Sequence, residues 1–206
     1  MTQPGPNPEF WQQRFESGQT PWDRGGPSPR LLAWLDSGIL APCRIAVPGC
    51  GSGWEVIELA RRGFEVIGID YTVAAVTRAR RLMTLQGLDP TKIIQADVLQ
   101  WQPGQPFDAV YEQTCLCALH PVFWMAYASQ LHQWLRPEGR VWALFMQARR
   151  PEAEAEGRVE GPPFHCDLTA MRALFPAPQW SWPEPPFPAV PHPNGWREFA
   201  VPLTRV

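Results

Sequence analysis

Short apolar runs alternate with amphipathic segments through the middle of the chain. The runs typical of buried strands are 43–49, 64–70, 92–97, 107–113 and 140–148. The segments with helical spacing that separate them are 52–63, 72–88 and 121–139. Because strands that alternate with helices of this length form βαβ units, the order predicts a parallel sheet covered by helices.

The first 40 residues predict two short helices joined by a loop. The helical patterns cover 8–17 and 28–37, and the second has Ser28 as its N-cap and Pro29 in its first turn. The loop between them contains three glycines and the sequence TPWD, which includes Trp22. No helix face is available there to bury this tryptophan.

Proline marks both ends of the chain. Of the 25 prolines, six lie in residues 1–30 and twelve in residues 151–206. Since proline lacks a backbone donor and fixes φ, extended segments and turns are expected there. The pattern predicts a polar loop at 151–164, a short helix at 166–175 and a final edge strand at 195–203.

Composition indicates a folded protein without a nucleic-acid or membrane signature. Hydrophobic residues make up 45% of the 206 residues, enough for a buried core, and the net charge is −2. That charge lacks the basic excess of nucleic-acid-binding proteins. No apolar run approaches the roughly 18 residues of a membrane span, and the first residues do not resemble a secretion signal. We therefore expect a cytoplasmic monomer.

The five cysteines do not predict disulfides or a metal site. They are Cys43, Cys50, Cys115, Cys117 and Cys166. Their number is odd and no secretion signal precedes them, so reduced thiols are expected. The C-x-C spacing of Cys115 and Cys117 is not that of a zinc site, and no metal is expected.

A glycine-rich loop, V-P-G-C-G-S-G at 47–53, connects the first predicted strand to its helix. Glycines allow a ligand to approach the backbone closely, and the start of a helix favours an anionic group. A tight turn without a ligand is the alternative. Trp54 stands where a dinucleotide fingerprint has its third glycine, which disfavours a nicotinamide cofactor.

Two aspartates follow the next two strands. Asp70 lies 17 residues after Gly53, where a carboxylate can bind both hydroxyls of a ribose. Its alternative role is to cap the following helix. Asp97 ends the third strand, where it can reach a purine edge or simply form a surface turn. Both positions are at the carboxyl edge of the sheet, where such folds bind ligands.

Together these segments resemble the S-adenosylmethionine site of class I methyltransferases. Longer patterns are more specific: F-W-x-x-R-F-x-x-G-x-T-P-W-D at 10–23, Y-E-x-x-x-L-C-A-L-x-P at 111–121 and G-P-P-F at 161–164. With them the chain resembles the thiopurine, thiol and halide methyltransferase family over about residues 9–165.

The resemblance implies an α/β fold with a seven-stranded, mostly parallel, Rossmann-like sheet, helices on both faces and an N-terminal lid. We expect a single domain over residues 1–206. Its lid is expected at 1–40 and its cofactor-binding core at 41–150. Residues 151–206 are expected to form the acceptor-side loop and the C-terminal strands.

The resemblance also implies roles for individual residues. The implied residues of the S-adenosylmethionine site are Trp11, Trp22, Gly49, Gly51, Gly53, Asp70, Asp97, Val98 and Glu112. For the acceptor pocket the resemblance implies Phe164. We expect the soft, apolar residues Phe15, Cys115, Cys117 and Trp124 beside it, although relatives often have arginine at position 124. Glu112 is also the candidate catalytic acid or base, although anchoring of the cofactor's ammonium group is the favoured role. A tryptophan face near the sulfonium would stabilise it by about 0.5–2 kcal/mol.

The predicted activity is in-line transfer of a methyl group from S-adenosylmethionine to a small soft acceptor. A thiol or hydrosulfide is favoured because the implied acceptor side is soft and apolar; thiopurine, halide and tellurite are alternatives. A nucleotide-binding oxidoreductase and a non-catalytic scaffold are alternatives of other classes. A methyl relay through Cys115 and Cys117 is less favoured than a packing role for these cysteines.

Overall fold

The computed structural model of the protein describes residues 4–206. Its helices are α1 (Pro8–Glu16), α2 (Pro29–Asp36), α3 (Trp54–Arg61), α4 (Val73–Leu85), α5 (Cys115–Ala118), α6 (Trp124–Trp134), α7 (Pro151–Ala155) and α8 (Leu168–Leu174). Its strands are β1 (Arg44–Pro48), β2 (Glu65–Asp70), β3 (Ile93–Gln95), β4 (Phe107–Gln113), β5 (Leu135–Gln147), β6 (Trp180–Ser181), β7 (Ala189–Pro191) and β8 (Arg197–Arg205).

The strands form one sheet in the order β3-β2-β1-β4-β5-β8-β6, and β7 pairs with β8 beside this path. The first five strands in this order are parallel to one another, whereas β8 runs antiparallel to β5. The predicted α/β fold with a mostly parallel sheet is confirmed. The sheet has eight strands, one more than the resemblance implied. The sequence pattern predicted six of them and missed β6 and β7, which are two and three residues long.

Two predictions for the C-terminal part are wrong. The last strand, β8, is not at an edge, because it pairs with β5 on one side and with β6 and β7 on the other. The segment 151–164 is not all loop, because α7 occupies its start. Pro151 stands in the first turn of α7, and Glu152 lies beside the free N–H groups there, which favours a helix.

Two hydrophobic clusters form the core. Trp34 and Trp142 belong to one cluster, where their rings meet edge to face at 5.0 Å. Trp134 belongs to the other, and its indole N–H donates to the Trp101 carbonyl at 3.1 Å. Tryptophans are therefore used mainly to fill the core, and only some remain for a binding site.

The parallel register brings the functional loops to one edge of the sheet. Pro48 at the end of β1 pairs with Ile69, one residue before the end of β2. The Cys50 N–H then donates to the Ile69 carbonyl at 3.0 Å, which ties the glycine loop to the neighbouring strand. The Ala96 N–H donates to the Asp70 carbonyl at 3.0 Å and ties in the third loop. The three loops thus line one rim.

Close packing of α3 on the sheet requires glycine at position 68. A Cβ at Gly68 would lie 2.7 Å from Val56 Cγ2 and 2.8 Å from Ile93 Cδ1. We expect Gly68→Ala to lower the free energy of unfolding by about 1–3 kcal/mol, because added volume in a packed core forces its neighbours apart. Denaturant unfolding measures this. The matched control is Gly104→Ala, where no atom lies within 4 Å; equal stability of the two variants would contradict the packing argument.

Candidate functional site

A cavity of about 500 Å³ lies at the carboxyl edge of the parallel strands. This volume is within the range of sites that enclose small molecules. Its walls are formed by the N-terminal segment, the glycine loop, the loops after β2, β3 and β4, and the loop before Phe164. The residues implied by the resemblance that line it are Trp11, Phe15, Trp22, Gly49, Gly51, Asp70, Asp97, Val98, Cys115 and Cys117.

The backbone of the glycine loop lies so close to Cys115 and Phe15 that there is little space for a side chain at Gly49 or Gly51. Gly49 and Gly51 have φ values of +59° and +51°, which favour glycine. A Cβ at Gly49 would lie 2.9 Å from Cys115 Cβ, and one at Gly51 would lie 3.4 Å from the Phe15 ring. The loop therefore presents backbone to the cavity.

Asp70 joins two segments of the rim. Its Oδ2 accepts from the Gly51 N–H at 3.0 Å, and its Oδ1 accepts from the Thr72 N–H and hydroxyl. Burial raises the pKa of Asp70, while these hydrogen bonds oppose the rise. Thr72 is itself the N-cap of α4, so Asp70 supports the helix start and also lines the cavity.

Asp97 also combines the two roles considered for it. Its Oδ1 accepts from the Leu99 N–H at 2.9 Å, and its Oδ2 accepts from Gln100 Nε2 at 3.1 Å. These bonds form the turn after β3. The same residue and Val98 line the cavity, so the turn presents both of them to a ligand.

An aromatic group from the N-terminal segment covers part of the cavity. Trp22 packs edge to face on Trp11 at 5.3 Å and on Phe15 at 5.9 Å. Trp11 and Phe15 come from α1, whereas Trp22 comes from the following loop. Trp22 is therefore held by other aromatic rings and faces a cavity, as its position in a loop without a helix face indicated.

Asp23, which the sequence analysis missed, attaches this segment to the rest of the protein. Its carboxylate accepts from the Ser52 hydroxyl at 2.5 Å and from Trp54 Nε1 at 2.8 Å, and it lies 3.3 Å from Arg78 Nη2. Burial opposes ionisation, but these partners and the Gly25 N–H together lower the pKa of Asp23. The TPWD motif was the sequence signal that pointed to Asp23. The partners of Asp23 could not be predicted from it, because they lie about 30 and 55 residues away in the chain.

The expected contact of Glu112 with a ligand is not supported by its position. Side chains alternate along a strand, so Tyr111 and Gln113 cannot share a face of β4 with Glu112. Tyr111 and Gln113 line the cavity, and Glu112 does not. Its carboxylate accepts from the Leu116 N–H at 2.8 Å and from the Tyr127 hydroxyl. Burial raises the pKa of Glu112 to about 7. Its contacts are those of a support for α5 and α6.

Three further residues lie outside the cavity lining. Gly53 starts α3 with φ +80°, and a Cβ there would lie 3.0 Å from Ala79 Cβ, so it serves helix packing. The Trp124 indole N–H donates to the carbonyls of Leu116 and Leu119, both at 2.9 Å, and points into the protein. Phe164 packs against the His120 ring instead of facing the cavity.

The cysteines that line the cavity are poor nucleophiles. Burial raises the pKa of Cys115 and of Cys117 well above the usual value, so both are protonated thiols at neutral pH. Since the thiolate is the reactive form, a packing role fits them better than a covalent role.

Within residues 4–206 no three His, Cys, Asp or Glu side chains are grouped so that they could hold a metal ion. No described helix is both long enough and apolar enough to span a bilayer.

The donor set fits S-adenosylmethionine. Asp70 offers a carboxylate for ribose hydroxyls, and the glycine loop offers exposed backbone for the amino-acid part. Trp11 and Trp22 offer ring faces for a positively charged sulfur. The fit depends on the space at Gly49 and Gly51, which a Cβ at either position would reduce.

Comparison with known proteins places the chain among methyltransferases. The family model of thiopurine S-methyltransferase matches residues 6–183. A probable thiol methyltransferase of Arabidopsis thaliana is 31% identical over 166 residues, 80% of this chain and 70% of the relative. A thiopurine S-methyltransferase of Vibrio cholerae is 28% identical over 186 residues, 82% of this chain and 81% of the relative.

Solved structures agree on the fold. The magnesium protoporphyrin IX methyltransferase of Synechocystis PCC 6803, solved with bound SAM, has a TM-score of 0.72 at 17% identity and covers 100% of both chains. A second solved structure is described as concerning the conversion of a disulfide bond into a thioacetal group during echinomycin biosynthesis. Its TM-score is 0.73 at 23% identity, and the match covers 96% of this chain and 91% of the other. At these identities the similarity concerns the fold alone.

Loss of the Asp23 carboxylate should release the segment that covers the cavity. We expect Asp23→Asn to speed proteolysis within residues 17–27 about tenfold or more, because hydrogen bonds to a charged group are worth about 1.5–3 kcal/mol. Limited proteolysis with mass-spectrometric mapping measures this. The control is Asp36→Asn, which removes an exposed ion pair with Arg62 and should change little. Equal cleavage in both variants would refute the anchoring role.

Proposed function

The chain belongs to the thiopurine S-methyltransferase family, and on that premise we propose that it transfers the methyl group of S-adenosylmethionine to a small thiol. The observation that carries the proposal is the cavity at the carboxyl edge of the sheet, lined by Asp70, the glycine loop and the aromatic group. The relatives support the acceptor class, since one is named for thiols and another for thiopurines.

The proposed cofactor contacts divide among the rim residues. Asp70 would bind the ribose, Asp97 and Val98 would flank the adenine, and Gly49 and Gly51 would receive the amino-acid part. When bound, S-adenosylmethionine supplies an electrophilic methyl group on a positively charged sulfur. The rings of Trp11 and Trp22 would cover this charge and exclude water from it.

The remaining wall of the cavity suits a soft acceptor. Phe15, Cys115, Cys117 and Met146 line it with carbon and sulfur atoms. An apolar, water-poor site favours a reaction in which opposite charges of nucleophile and cofactor cancel. The role of these residues is to hold the acceptor in line with the methyl group at short range, which supplies most of the rate enhancement. We place a small thiol or hydrosulfide here.

The proposal is tested with a panel of acceptors and S-adenosylmethionine labelled in the methyl group. Alkyl thiols, hydrosulfide, iodide, thiocyanate and a thiopurine are offered in turn, and volatile and soluble products are collected. We expect label on sulfur, with the small thiols as the best acceptors. Transfer to oxygen or nitrogen acceptors alone would refute the acceptor class.

Cofactor binding separates this proposal from the two other classes. Calorimetry should detect binding of S-adenosylmethionine and S-adenosylhomocysteine, and no binding of a nicotinamide dinucleotide. The reverse result would favour an oxidoreductase. No binding of any of them would favour a non-catalytic scaffold.

Glu112→Gln distinguishes support of the fold from contact with the cofactor. The carboxylate holds the Leu116 N–H and the Tyr127 hydroxyl. We therefore expect the free energy of unfolding to fall by about 1–3 kcal/mol, the cost of disturbing a buried hydrogen-bonded group. The affinity for S-adenosylhomocysteine should stay within about twofold.

Tyr127→Phe is the matched variant, because it removes the hydroxyl from the same pair without touching the cavity. It should lower stability in the same direction and also retain affinity. A tenfold loss of cofactor affinity in Glu112→Gln with unchanged stability would restore Glu112 as a cofactor anchor.

A further inference from the structure

The fully buried carboxyl of Glu198 lies behind the cavity wall formed by Tyr111 and Gln113. The Tyr111 hydroxyl donates to Gln113 Oε1 at 2.7 Å, and Gln113 Nε2 donates to Glu198 Oε2 at 2.8 Å. Gln113 thus connects the cavity to a carboxyl group that the cofactor site does not use.

Glu198 is incompletely paired. Its side chain is 0% exposed, and among the described residues its Oε1 has no hydrogen-bond partner. Its nearest cation, Arg24 Nη2, is 3.8 Å from Oε2 and donates instead to the Pro191 carbonyl at 2.7 Å. Because a buried, partly paired carboxylate is unfavourable, this group readily takes up a proton.

The groups around Glu198 do not supply a second positive charge. The titratable and charged groups close enough to influence its charge are Arg24 from the lid loop, Glu55 from α3, Tyr111 and Glu112 from β4, Cys117 from α5 and Cys166 from the loop before α8. His192, in the turn after β7, is influenced by Arg24. Burial lowers the pKa of His192, so the ring is neutral. Burial raises the pKa of Glu198 to about 8 and that of Glu55 to about 7.

We propose that Glu198 makes this cavity discriminate between acceptors by charge. An anionic acceptor binds with uptake of one proton by the Glu198 carboxyl, whereas a neutral thiol binds without net exchange of protons with solvent. The inference rests on the proposed function, because it concerns the acceptor of that methyl transfer. Glu198 acts here as a specificity-determining residue behind Gln113.

The proton balance differs between the two classes of acceptor. A neutral thiol brings its own S–H proton and no charge, so the Glu198 carboxyl keeps its protonation state when the thiol binds. Iodide brings a charge and no proton, so the ionised carboxylate takes one proton from the buffer and forms an O–H bond. The iodide complex then holds one anion near a neutral Glu198, and two like charges are avoided.

Calorimetry can count these protons. Iodide and an alkyl thiol are each titrated into the complex with S-adenosylhomocysteine in two buffers of different ionisation enthalpy. At about pH 8.5 we expect uptake of a large fraction of one proton per iodide and close to none per thiol, and iodide affinity should fall about tenfold per pH unit in the alkaline range. Absence of uptake with iodide, or failure of iodide to bind at about pH 6.5, would overturn the proposal.

Glu198→Gln tests the assignment to one residue. The variant keeps an acceptor for Gln113 Nε2 but carries no charge, so iodide binding should lose both its proton uptake and its pH dependence. Glu55→Gln, which changes the cavity-lining carboxyl, should retain the uptake. Glu184→Gln, at an exposed position, should match the unaltered protein. Uptake that persists in Glu198→Gln, or disappears in Glu55→Gln instead, contradicts the assignment.

Methylation rates separate this inference from the proposed function. Methylation of iodide should fall as pH rises in the unaltered protein and stay level in Glu198→Gln. If thiols are methylated but iodide binds without proton uptake, only the charge discrimination fails. If no sulfur acceptor or halide is methylated at all, the proposed function fails. If Glu198→Gln does not fold, the proton uptake measured on the unaltered protein still tests the charge discrimination.

Discussion

The binding site depends on a carboxylate that holds an N-terminal segment over the open edge of a sheet. A parallel sheet by itself offers only a rim of loops, and a ligand bound there is exposed to water. Asp23 joins the covering loop to Ser52 and Trp54 at the start of α3. These hydrogen bonds hold the loop of Trp22, which packs on Trp11 and Phe15 of α1, and together the three rings cover part of the rim.

Hydrophobic periodicity and capping residues predicted the individual helices and strands whose formation depends on neighbouring residues in the chain. The apolar run at 107–113 coincides with β4, and Ser28 is the N-cap of α2. The pairing of β8 on both sides could not be predicted, because a half-buried pattern does not show which backbone groups have partners. The two-residue strand β6 leaves no periodicity to recognise.

The sequence shows best those candidate site residues whose direction the backbone fixes. Asp70 and Gly51 lie at or just after strand ends, and both line the cavity. Glu112 does not line it, because a one-residue step along a strand reverses the face. Asp23, Gln113 and Glu198 were missed, since each acquires its role from partners distant in sequence: Glu198 is 85 residues from Gln113.

The carboxyl groups of this protein differ in function because they differ in how fully they are paired. Asp23 has four partners and stays ionised as a structural anchor. Glu112 is buried with two donors and supports neighbouring helices. Glu198 has one close donor and a distant arginine, so its charge is the least well compensated of the three. A group in that state responds to any new charge brought near it, which is why the charge of the acceptor should be registered at Glu198 and not at the better-paired carboxylates.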